Sequence, residues 1–172
     1  MATARLSALD NEFYSRLIRE DDATLRRMAL KACTYAVEKS GLKYPAVLAA
    51  LKGMTEEKPL SPAEKSEMGK LVAALDIAHI TTDNRDRDAT GKTDTLTGRT
   101  AQFQARAANA VFMASNPDPL FAALEAIYEA YRATGDWPAL KAVLSAKQKT
   151  HLYRKDAKTL RRKEKRSNFF AP

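Results

Sequence analysis

The sequence predicts an all-α protein, a single bundle of about five or six helices followed by a basic C-terminal extension that can itself continue as helix. Three observations carry this. Apolar residues recur at three- and four-residue spacing through most of the first 145 residues, the period of an amphipathic helix. Chain breakers are few, 6 glycines and 7 prolines, and most of them fall between the stripes. No stretch sustains the alternation of a half-buried strand, and no internal repeat is visible.

The elements follow in order. Leu6, Leu9, Phe13 and Leu17 form a first helical stripe. Asp21-Asp22 then suits a helix start, because carboxylates accept from the unpaired N–H groups there and complement the dipole. The helix behind it carries Leu25, Met28, Ala29, Ala32 and Ala36, and Gly41 fits its left-handed terminus. Pro45 opens a short helix with Val47, Leu48 and Leu51 that ends near Gly53. Ser61-Pro62-Ala63-Glu64 is the clearest local signal: Ser61 caps, Pro62 is preset for the first turn, and Glu64 can reach back to close a capping box. Met68, Leu71, Val72, Leu75 and His79 share the face that follows.

Residues 81–98 contain one large apolar residue, Leu96, and predict a long loop. Helical spacing resumes with Phe103, Ala107, Ala110, Val111 and Ala114. Asn116-Pro117-Asp118-Pro119 hands over to another helix, with Asp118 as cap and the strongest stripe of the chain behind it: Leu120, Phe121, Leu124, Ile127, Tyr128 and Tyr131. Gly135 closes that helix. Asp136-Trp137-Pro138 opens a last one with Leu140, Val143 and Leu144 inward. Short connections predict antiparallel neighbours. The division expected is a helical body over 1–145 and a basic extension over 146–172.

Charge makes that division sharper. The 172 residues hold 29 Lys+Arg and 21 Asp+Glu, a net +8. From Lys141 onward there are eleven basic and two acidic residues, a net +9, which leaves the first 140 residues at −1. Lys147, Lys149, Arg154, Lys155, Lys158, Arg161, Arg162, Lys163, Lys165 and Arg166 crowd into twenty residues, with a thin stripe of Leu152, Tyr153 and Leu160 between them. A polyanion would neutralise these charges and release counterions, which gives affinity without sequence specificity. Nucleic acid, RNA or DNA, is the expected anion; the stripe is too narrow for deep insertion into an acidic membrane. The bland alternative is a solvated tail that aids solubility. Phe169-Phe170, adjacent apolar rings in a polar segment, are expected to anchor on a partner, on bases or back on the body. In composition this plan resembles ribosomal and other ribonucleoprotein subunits, a likeness confined to the tail.

Several chemistries lack their residues. Cys33 is the single cysteine, so an internal disulfide or a structural thiolate zinc site cannot form, and it reads as a small core residue. His79 reads as a satisfied core or boundary residue on its apolar face, and His151 sits among cations that disfavour its protonation. HExxH, a Gly-rich phosphate loop and a GxSxG elbow are absent. Helical RNases that place an arginine about a turn before a histidine are not matched either: Lys70 precedes His79, and the nearest arginine before His151 is Arg132. Asp86-x-Asp88-x-Thr90-Gly91 imitates the start of a calcium loop, but Thr97 stands where the bidentate Glu belongs, and Arg85, Arg87 and Lys92 neutralise the field. Glu56-Glu57 and Glu125/Glu129 read as exposed helix faces. No cofactor is expected.

No apolar run approaches the roughly 18 residues of a membrane span. The first residues lack the pattern of a signal peptide, and Asp10, Glu12 and Glu20 argue against a transit peptide. The default compartment is the cytoplasm, with an organellar matrix as the alternative. The expected function is a non-enzymatic binding protein whose helical body docks to protein and whose cationic arm contacts nucleic acid. The alternative is a protein-interaction module, such as an immunity or adaptor protein, with no nucleic-acid role.

Overall fold

A computed structural model describes residues 2–90 and 96–146, apart from the side chains of 2–4, 86, 89–90 and 96–97. Every regular element among them is an α-helix: α1 Ala2–Leu9, α2 Asn11–Leu17, α3 Asp22–Ser40, α4 Pro45–Thr55, α5 Pro62–Thr90, α6 Leu96–Ala114, α7 Pro119–Thr134 and α8 Trp137–Ser145. The all-α expectation holds. The number does not: eight helices lie within the described residues, against five or six expected.

One extra helix comes from Asp10. The stripe Leu6–Leu17 reads as continuous, but Asp10 is extended (φ −155°, ψ 94°) and acts as N-cap of α2, its carboxylate accepting from the Phe13 N–H at 2.8 Å. Phe13 and Leu17 still reach the core, each 1% exposed. Other boundaries follow the local signals. Asp21 caps α3 by accepting from the Thr24 N–H. Ser61 and Glu64 form the reciprocal box, with the Ser61 N–H donating to Glu64 at 2.7 Å and the Glu64 N–H to Ser61 at 3.3 Å. Asp118 and Asp136 cap α7 and α8. Gly41 (φ 66°) and Gly135 (φ 67°) close α3 and α7 in the left-handed region that an L side chain resists.

The larger departure is at 81–98. Instead of a loop across the whole stretch, α5 runs on to Thr90 and α6 begins at Leu96; residues 91–95 lie outside the described chain. No proline interrupts residues 63–90, and Thr82 turns its hydroxyl onto the Ala78 carbonyl at 2.8 Å, so nothing local stops the helix before Gly91. The calcium-loop likeness fails with it, because residues 86–90 are helical and not the turn such a loop needs.

The core is built on α3, α6 and α7. α7 packs along both α3 and α6, α3 also packs on α6, α5 lies against α6, and α4, α1, α2 and α8 close the ends and flanks. Ala29, Ala32 and Ala36 of α3, Ala107 and Ala110 of α6, and Ala122, Ala123, Ala126 and Ala130 of α7 are fully buried. Small residues on all three helices are the kind that let helix axes approach closely. Leu6, Phe13, Leu42, Val47, Met68, Leu124, Ile127 and Leu140 fill the remaining volume. The N-terminal segment is fastened to α8: Trp137 packs edge-on against Phe13, ring centroids 5.1 Å apart. Trp137 Nε1 and Lys141 Nζ both donate to the Asp10 carboxylate, at 3.1 and 2.7 Å.

That contact makes a pH-dependent clasp. Lys141, then the Phe13 N–H and Trp137, hold the Asp10 carboxyl down at about 2 against the opposing effect of burial. A depressed folded-state pKa contributes stability that is complete above the unfolded value near 4 and is lost as pH falls toward 2. Asp10→Asn keeps a capping oxygen and removes the charge. It is expected to cost about 1–2 kcal/mol at pH 7, and the gap to wild type should close below pH ~2. Urea unfolding at a series of pH values measures this.

Candidate functional site

Three groups of residues carry the chemistry of the described chain. The first is an ionic junction across three helices. Arg106 of α6 donates from Nη2 to Asp76 of α5 at 2.6 Å and from Nη1 to Glu129 of α7 at 3.4 Å. Glu129 is 3% exposed and Glu125, one turn earlier, 7%. This corrects their reading as an exposed face. α7 packs on both α3 and α6, and these two polar positions lie inside. A buried carboxylate needs a cation, and Arg106 supplies one that also reaches the partly exposed Asp76. Arg106 Nε is buried without a hydrogen-bond partner among the described residues. The junction fastens α5 and α7 to α6. It holds no nucleophile, and both carboxylates are committed to the guanidinium, which suits fold specification better than proton transfer.

The second group is His79 and Asp83 on α5. Their nearest atoms are 3.7 Å apart, and His79 Nδ1 is buried without a partner among the described residues. His79 is thus a boundary residue, as its face suggests, but its hydrogen bonding is incomplete. The third is Cys33, fully buried, whose thiol is pushed well above its ordinary range by burial. It is inert as a nucleophile at neutral pH.

Among the described residues no group of three His, Cys, Asp or Glu side chains is placed to hold a metal, and no helix is long and apolar enough to cross a membrane. A cleft of about 390 Å³ lies between the start of α5 and the end of α6, lined by Pro62, Lys65, Ser66, Phe112, Met113, Ser115, Asn116 and Pro117. Lys65 is its single ionisable side chain, and Ser115 is engaged with the Phe112 carbonyl at 2.6 Å. It offers no base for a nucleophile.

The sequence-derived anion residues, Lys147, Lys149, Arg154, Lys155, Lys158, Arg161, Arg162, Lys163, Lys165 and Arg166, lie outside the described residues, as do His151, Phe169 and Phe170. The residues just before that segment are described. α8 ends at Ser145, and Lys31 of α3 donates to the Ala146 carbonyl at 2.6 Å. Arg26, five residues before it on α3, donates to the carbonyls of Asn116 and Pro117 that follow α6. These carbonyl-capping contacts were not legible in the sequence, since Lys31 and Ala146 stand 115 residues apart. No family model, curated protein or solved structure matches the chain.

Proposed function

We propose that this chain is a non-enzymatic binding protein: a near-neutral helical scaffold that docks to protein and carries a cationic C-terminal arm for nucleic acid. The observation that carries the reading is the segregation of charge, +9 from Lys141 onward and −1 before it. Charge spread over a surface aids solubility, whereas charge gathered into one segment concentrates a field on a polyanion. Among the described residues, the fully buried large side chains fall between Leu6 and Leu140.

Truncation after Ala146 tests this. The expected product keeps its helical circular dichroism and cooperative unfolding, while binding to RNA and DNA at low salt disappears. Unchanged nucleic-acid binding after truncation overturns the reading. A defined protein partner that survives both nuclease treatment and truncation would favour an adaptor-type module instead.

A further inference from the structure

α5 is apolar on two sides. Its inner side, Met68, Leu71, Val72 and Leu75, packs toward α6 and α4. Its outer side exposes Ile77 (65%) and Ile80 (57%), the most exposed of the large apolar residues among those described. Ala73, Ala74 and Ala78 are exposed beside them. Between Met68 and Ile80 apolar residues thus lie on both sides of α5, and nothing among the described residues covers the outer one.

We propose that the outer face of α5 is the contact surface of a two-fold symmetric homodimer in which two α5 helices pack antiparallel. The occupant is argued from shape and charge. At 100° and 1.5 Å per residue, Ala73 and Ile80 fall on one flank of Ile77, and Ala74 and Thr81 on the other. An antiparallel pair with its two-fold at Ile77 sets Ala73 against the larger Ile80 of the second copy on one flank and Ala74 against Thr81 of the second copy on the other. A parallel pair sets Ile80 against Thr81 of the second copy and leaves a gap between Ala73 and Ala74.

The polar ends agree. Lys70 lies at one end of the exposed strip, Asn84 and Asp88 at the other, all three exposed. Antiparallel packing brings Lys70 of each copy between Asn84 and Asp88 of the other, twice by symmetry, whereas parallel packing places Lys70 on Lys70. A contact about 30 Å long between two helices buries on the order of 1,000 Å², the lower end for a specific interface, so a micromolar dimer is expected.

Sedimentation velocity of the nuclease-treated full chain tests it. The wild type should pass from monomer to dimer as concentration rises from about 1 to about 300 µM. Ile77→Glu, which places two carboxylates at the two-fold, should weaken the dimer about 100-fold or more. Lys70→Glu should weaken it about tenfold, and Lys70→Glu combined with Asp88→Lys should restore it to within about threefold, a rescue that misfolding cannot imitate. A wild type that stays monomeric throughout that range overturns the proposal. So does a dimer indifferent to Ile77→Glu, or one weakened by Lys70→Glu but not restored by the swap.

Discussion

Replacing Arg106 with leucine is expected to cost about 3–5 kcal/mol of stability, the largest effect of any single substitution in the described chain. The reason is Glu129. Its carboxylate is 4% exposed and has Arg106 as its cation. Without Arg106 that carboxylate is left buried with no cation beside it. Asp76 loses less, because it is about a third exposed and water can replace the guanidinium. Thermal unfolding should show a fall of about 10–20 °C. A second substitution, Glu129→Leu, should recover most of the loss in the Arg106→Leu background, since replacing both members of a buried pair by apolar groups is often neutral. A loss under 1 kcal/mol for the single variant would show that water already satisfies Glu129.

Neutralising half of the arm should halve the salt dependence of nucleic-acid binding. Arg161, Arg162, Lys163, Lys165 and Arg166 are five of its ten clustered cations. Changed together to glutamine, they remove five potential phosphate contacts without touching the described body. If all ten engage duplex DNA, the slope of log affinity against log salt is about −9, and the variant should show about −4.5. Affinity at about 50 mM salt should then fall by roughly 10²-fold or more, with unfolding unchanged. A slope that does not move would place the phosphate contacts elsewhere on the chain.

The architecture was legible where the signal is local. Capping residues, first-turn prolines and left-handed glycines act over four or five residues, so Asp21, Ser61-Pro62, Asp118-Pro119, Gly41 and Gly135 place their boundaries from sequence spacing alone. Asp10 shows where this fails. Its neighbours continue the 3.6-residue stripe, and the carboxylate ends one helix and starts the next partly because Trp137 and Lys141, more than 120 residues later, hold it there. The end of α5 fails in the other direction. Low apolar content reads as loop, yet helix continues until a residue breaks it, and polar residues on an exposed helix need no core.

The buried acids are the deepest miss. Glu125 and Glu129 sit at positions that read as the outside of an amphipathic helix. Whether a helix has an outside depends on how many neighbours surround it, which local spacing does not encode. The pairing of Asp76, Arg106 and Glu129 is equally non-local. The arm inverts the pattern: its composition is plain in the sequence, and the role proposed for it rests on charge alone.

The most direct test of a neutral scaffold with a separable cationic arm is backbone amide NMR of the full chain titrated with single-stranded RNA. Chemical-shift changes should concentrate in residues 147–172 and fade at Ala146, with α1–α7 unmoved and the changes reversed by added salt. Shifts centred on the helical body, with the signals of 147–172 unaffected, would contradict the account.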